Sequence, residues 1–455
     1  MSTCLRPSPA RGSAPWRDCS GTSGSPIWFE RPMSGPDDHR LSVPTTSIVE
    51  WTRAFVRHPS PQTERFEQEP QVQSFITEKV VPLLRDLALP WRQDAMGNVV
   101  VELGPARTDG SLMIMAYAMT HPANRMRNPF EGELIEDAAG AFVRGRGVSE
   151  QKGALAAALA AVKSAADGLT LRRRLIFALS TAGETGRHDA AASVCNALGY
   201  CPKLAIVAIG TTQRVALANK GRIDVFVTVR GKAAHSSMPW MGVDAITGAR
   251  DVLDRVLAID VGGNKHPALG AATLTATAVR SWPQATHTVQ DEVRLAFDRR
   301  LLPGDDPQAA FAAIAAAAAE VGAPWSVESE PGPFMYPAEI ARDGPFMRAA
   351  ANGCRRMGLA TPETFHSHGA LDAGFFCHHG AQAAMWGPGA VDQWHSDDER
   401  IAVPDLITGA LAYRGMIEQA LCTDDEGGGE FERNGNPIYG GAHKVRNANR
   451  PLKLF

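Results

Sequence analysis

Two carboxylates and an imidazole stand in short polar turns between long apolar runs: Glu150 in GRGVSEQKG, Glu184 in STAGETG and His395 in QWHSDDE. Carboxylate oxygens and imidazole nitrogens hold divalent transition ions, and three protein ligands leave positions open for water and substrate. Brought to one sheet edge, the trio would make such a site, and its donors suit Zn²⁺, Mn²⁺ or Co²⁺. Taken singly, each residue has a plainer reading. A Glu near a helix start serves as a dipole partner, and a lone His before a helix is commonly a polar surface group.

Elements must carry these residues together. LMIMAYAMTHP (112–122) is a continuous apolar run ended by Thr-His-Pro, the pattern of a buried parallel strand at its carboxyl end. That end is where α/β proteins place ligands. RLIFALSTA (174–182), KLAIVAIG (203–210) and AQAAMW (381–386) are further buried strands, and NVVVEL (98–103) adds another. Helices are expected at 47–57, 71–88, 152–168, 188–198, 345–357 and 403–420. This alternation predicts an α/β fold, a mostly parallel sheet with helices on both faces. After about residue 217 the texture changes: RIDVFVTVR (222–230) alternates polar and apolar residues as a half-exposed antiparallel strand does. Helices at 242–258 and 307–321 and strands at 271–280, 288–298 and 325–329 complete an inserted α+β unit. The expected organisation is an irregular leader over 1–44, a discontinuous first domain over 45–217 and 334–422, the insertion over 218–333, and an irregular tail over 423–455.

A chain of 455 residues is long enough for two cores. Its 46 basic and 49 acidic residues leave a formal charge of −3 without a dense basic run, so nucleic acid and anionic membranes are not the expected partners. A small solute is. No apolar stretch approaches the roughly 18–20 residues that span a bilayer, and the beginning lacks a secretory apolar core, so a cytoplasmic location is expected. Seven scattered cysteines suit reduced thiols better than a disulfide framework.

Order and spacing resemble the co-catalytic zinc hydrolases of the aminoacylase, succinyl-diaminopimelate desuccinylase and glutamate carboxypeptidase family over roughly residues 45–422. GRGVSEQKG resembles the family's Gly-Arg-Gly-x-Ser-Asp-x-Lys-Gly turn, and STAGETG its strand ending in Glu-Glu. VRGKAAHSSMPWMGVDAI and FDRRLLPGDD are similar to segments of its lid, and MWGPGAVDQWHSDDE to its closing His motif. The resemblance implies a metallopeptidase-like fold, a lid that also dimerises the chain, and hydrolysis of carbon–nitrogen bonds. It places Glu150 at the bridging ligand, Glu184 and His395 as ligands of one metal, His235 as the lid histidine that polarises the scissile carbonyl, His287 where Asn is common, and Arg300 as a grip for a substrate carboxylate. A salt bridge to Asp298 is the alternative for Arg300. Asp372 resembles a Thr-Asp-Ala turn with a supporting role.

The departures are as informative. Where the family has His-x-Asp, this chain has Ala116 and Ala118, and where it has the next acidic ligand, Thr211. Both private ligands of one metal are missing while the other set is kept, which implies one ion per protomer. Gly183 replaces the family's general base, and His121, His188 and Asp189 are the local candidates for that work. The leading expectation is a metal-dependent hydrolase of a small carboxylate-bearing substrate. It would act as a deacylase or amidohydrolase, or as a deaminating aminohydrolase of an activated aromatic amine, in the manner of a branch resembling 5-nitroanthranilate aminohydrolase. The alternative is an inactive member serving as a binding or assembly module.

Overall fold

The computed structural model describes residues 39–63, 65, 68–183, 186–263 and 265–423. Every described residue belongs to one compact unit. The leader up to residue 38 and the tail from 424 lie outside the described residues, as does Glu184.

A six-stranded sheet runs in the order Arg92–Gln93, Val99–Leu103, Leu175–Ser180, Leu112–Tyr117, Leu204–Ala208, Gln382–Met385. The last four strands are mutually parallel and the first two are antiparallel additions. Leu112–Tyr117 occupies a middle position and is buried at every residue, so both faces must be apolar. Helix Gly153–Gly168 is Ala-rich and buried along most of its length, which allows helix Val403–Cys422 to pack closely on it. The parallel strands end at one edge, so the loops beginning at Ala118, Thr181, Ile209 and Trp386 share it.

A second sheet, in the order Thr273–Trp282, Glu292–Leu301, Gly221–Arg230, Ser326–Met335, is wholly antiparallel. Helices Ala245–Leu257 and Pro307–Ala319 cover one face and form a separate apolar cluster with it, including Val225, Val252, Phe297 and Ile314. The alternation read in RIDVFVTVR is realised residue by residue.

Three features differ from the expectations. Residues 40–43 are tied down, with Leu41 and Val43 buried and Ser42 bonded to Ser164 and Asp167. The helix expected at 71–88 contains a π turn over Ile76–Val80. Two small sheets escaped the strand reading: Glu133–Asp137 with Gly140–Arg144 and Arg400–Ala402, and Val215–Asn219 with Ala338–Glu339 and Thr364–Ser367.

Candidate functional site

Glu150 lies in a π turn, Val148–Lys152, that opens the long buried helix. The turn begins after Gly147, whose φ of +76° favours a residue without a Cβ. Its exposed amides are gathered by one buried carboxylate. Glu399 Oε1 accepts from the amides of Ser149 (2.9 Å) and Glu150 (3.1 Å), and Oε2 accepts from the amide of Gly147 (2.7 Å) and from Arg146 (3.1 Å). Burial pushes the Glu399 carboxyl up, opposed by those amides and by Arg146. The same turn is docked from the other side, where Gly210 donates its amide to the Glu150 carbonyl at 2.9 Å. A Cβ on Gly210 or on Gly389 would lie 2.0 Å from the Ser149 carbonyl oxygen, so both glycines are required by close approach.

His395, four residues before Glu399, reaches the turn from the loop that precedes strand Arg400–Ala402. Its Nε2 stands 3.4 Å from Glu150 Oε1, with the imidazole 45% exposed and the carboxylate 2%. His121 stacks on His395 with ring centroids 3.8 Å apart. Glu150, His395 and His121 are thus brought together, and Glu399 fastens the turn to the segment that carries His395. Sequence reasoning missed Glu399, although its place in the same DDE run as the histidine motif was a usable signal.

The tip of strand Leu112–Tyr117 presents different chemistry. Ala116 and Ala118 are fully buried. Thr211 donates to the Arg214 carbonyl (2.6 Å) and accepts from the Gly387 amide (3.0 Å), so its hydroxyl closes a turn. The Tyr117 ring fills the space beside Gly183: a Cβ there would lie 2.4 and 2.5 Å from two ring carbons. Lys152 is buried beneath, donating to Ser60 Oγ at 2.7 Å with its Nζ 3.1 Å from the centre of the Phe75 ring. Burial holds its ammonium well below the usual lysine range.

His188 is the main correction to the site read from sequence. Its Nδ1 donates to Asp372 Oδ1 at 2.8 Å and its Nε2 accepts the Tyr336 amide at 2.9 Å, while Tyr117 donates to Asp372 Oδ2 at 2.8 Å. Both ring nitrogens are occupied and the side chain is 7% exposed, so the residue joins the sheet edge to the end of strand Ser326–Met335. Asp189 begins the following helix. Arg300 has an internal partner. It pairs with Asp298 through Nε (2.9 Å) and a terminal nitrogen (3.2 Å), the alternative left open by its sequence, and Arg222 bonds both Asp224 and Asp298 beside it. Arg299 is held against the Arg300 carbonyl, and burial lowers its pKa.

His235 and His287 come together on the second sheet's loops, with centroids 6.0 Å apart and the Ser236 amide donating to the His287 carbonyl. The Ser237 amide donates to His235 Nδ1 at 3.2 Å, which leaves the proton of the neutral ring on Nε2. That exposed N–H could face a developing oxyanion.

Glu150 and His395 converge, whereas Ala116, Ala118 and Thr211 supply no ligand atom to a neighbouring ion. Among the described residues no three His, Cys, Asp or Glu side chains are arranged so that they could together hold a metal ion, and Glu184 lies outside them.

A mostly parallel sheet with a separate antiparallel unit defines a metallopeptidase-like class, and the comparisons agree. The model of Peptidase family M20/M25/M40 matches residues 120–419, and the chain belongs to that family. An acetylornithine deacetylase of Vibrio atlanticus is 25% identical over 310 residues, spanning 66% of this chain and 79% of the relative. Among solved structures, an M20 metallo-carboxypeptidase of Sulfolobus solfataricus superposes with a TM-score of 0.67 at 15% identity, covering 84% of this chain and 99% of the other. A Bacillus subtilis M20 peptidase described as dinuclear gives 0.57 at 15% identity, covering 82% and 97%. Homologues in this family are hydrolases of peptide or amide carbon–nitrogen bonds and bind divalent metals. No helix among the described residues is long and apolar enough to cross a membrane.

Proposed function

We propose that this chain hydrolyses a carbon–nitrogen bond of a small substrate at a site for one divalent transition ion, Mn²⁺, Zn²⁺ or Co²⁺. The observation that carries the reading is the divided ligand edge: Glu150 and His395 meet at 3.4 Å on a braced turn, while the neighbouring positions are Ala116, Ala118 and a hydrogen-bonded Thr211. Glu150, His395 and, from the family resemblance, Glu184 would hold the ion. When bound it would acidify a water molecule and polarise the electrophile. His235 would contribute its Nε2 proton to the oxyanion, and His121, stacked on His395, is the nearest group for moving a proton. His287 would line the same substrate region from the lid loops.

Substrate class follows from what is missing. An amide's amine is a poor leaving group and needs a delivered proton, yet the Gly183 position is closed by Tyr117. Activated aromatic amines place less demand on that step, so deamination of an aminoaromatic acid stands beside deacylation. Arg300 already binds Asp298, so a substrate carboxylate would compete with an internal partner. A homodimer formed through the antiparallel unit, with cytoplasmic residence, completes the proposal.

A second reading, a binding module without catalysis, is favoured by the packing of Tyr117 over Gly183. Metal loading followed by a screen of acylated amino acids, dipeptides and aminobenzoates separates the two. Turnover that requires the ion and disappears in His395→Ala supports the hydrolase. A loaded protein that turns over none of these classes supports the module.

A further inference from the structure

Helix Pro345–Arg356 packs on helix Val403–Cys422, with Phe346, Ala350 and Cys354 buried. Arg348, Ala351, Asn352 and Arg355 follow the i, i+3, i+4, i+7 spacing and share the opposite face. That face, with Arg342 before the helix and residues 361–364 after it, walls a groove of about 330 Å³. Small-molecule sites occupy roughly 300–1,000 Å³, so the groove is large enough for a compact ligand. Met347 and Pro362 supply buried apolar surface, while Arg342, Arg348 and Arg355 are exposed around it.

We propose that this groove is a second ligand site, apart from the edge that carries Glu150 and His395, and that it takes a small dianion with a compact apolar body. A phosphate monoester and an aromatic dicarboxylate share that chemistry. Three guanidinium groups against one carboxylate, Glu363, leave the lining cationic. The planar fork of an arginine matches the oxygens of either head group.

The arginines are oriented without being neutralised. Arg355 donates to Asn352 Oδ1 and to Thr361 Oγ1 (3.5 Å), both uncharged acceptors. Arg348 donates to the Asp343 carbonyl at 2.7 Å. Among the described residues neither Arg342 nor Arg355 forms an ion pair with a carboxylate. Arg356 provides the contrast on the same helix. Its Nε donates to Gln419 at 2.8 Å and its Nη1 stands 3.8 Å from Glu418, so an internal carboxylate balances its charge. None of this depends on the metal reading.

Isothermal titration calorimetry of the full chain with phenyl phosphate and with phthalate tests the site. One ligand per protomer is expected, with a Kd below about 1 mM, and the tighter of the two identifies the head group. Benzoate, with a single charge, and inorganic phosphate, without a ring, should each bind about tenfold more weakly. Arg342→Gln and Arg355→Gln change exposed side chains, so the melting temperature should hold, and each should weaken binding by about tenfold or more. Arg356→Gln removes the same charge from the same helix outside the groove and should shift the Kd by no more than about twofold. His395→Ala should leave the Kd unchanged, which keeps a failure here separate from a failure of the metal site. The proposal is overturned if neither dianion binds, if benzoate binds as tightly, or if affinity survives both groove substitutions. It is equally overturned if Arg356→Gln or His395→Ala weakens binding as much as they do.

Discussion

The tip of strand Leu112–Tyr117 and the turn Val148–Lys152 meet the same sheet edge, but they present opposite chemistry. The strand tip offers aliphatic carbon at Ala116 and Ala118 and a tyrosine ring laid on Gly183. The turn offers a carboxylate braced from behind by Glu399 and met in front by His395. One fold therefore holds Glu150 and His395 together on the turn while the adjacent strand tip is packed core. The contrast is held by two different interactions, a buried ion pair on one side and ring packing on the other, and each can be broken separately.

Glu399→Gln attacks the braced side and should have the largest effect. It leaves Arg146 buried opposite a neutral amide, at a cost of about 3–5 kcal/mol in stability. Denaturant unfolding checks this, and metal affinity measured on the surviving folded fraction should fall about 10–100-fold, as for lost supports behind a ligand.

Metal removal reads the ligand pair itself. An ion present at a hundredfold excess over its Kd should raise stability by about 2.7 kcal/mol, seen as a Tm rise that a chelator reverses. Glu150→Ala should abolish the rise. Persistence of the full shift in that variant would place the ion elsewhere.

Gly183→Ala attacks the packed side. Its new methyl meets the Tyr117 ring, and overpacking of this kind costs about 1–3 kcal/mol. Combined with Tyr117→Ala, the two should couple favourably by about 0.5–3 kcal/mol in a double-mutant cycle. Simple additivity would separate Gly183 from the ring.

The smallest effect is expected at Arg300→Ala. The pair with Asp298 is partly exposed, with side chains 30% and 15% accessible, and should contribute about 0–1 kcal/mol. A KM that rises only for acidic substrates would instead restore the carboxylate grip expected from sequence.

The long apolar runs made much of the architecture legible. Leu112–Tyr117, Leu175–Ser180 and Leu204–Ala208 were readable because a strand covered on both faces must be apolar throughout. The ligand candidates Glu150 and His395 were readable from motif order, and the structure brings them within 3.4 Å. Three things were not. His188 stood at a plausible position, but its partners Asp372 and Tyr336 are 184 and 148 residues away in the chain. Arg300 left two partners open; Asp298, two residues before it on the same strand, was one of them, and only strand register adds Arg222 opposite. Tyr117 looked like an ordinary core residue because nothing local shows that its ring occupies the space over Gly183.

The central claim is one ion on the braced turn. Elemental mass spectrometry of the purified chain, beside Glu150→Ala and His395→Ala, tests it most directly. The account predicts close to one transition ion per protomer, lost in both variants. Two ions per protomer would contradict the reading of Ala116, Ala118 and Thr211, and none after incubation with Mn²⁺ or Zn²⁺ would contradict the hydrolase.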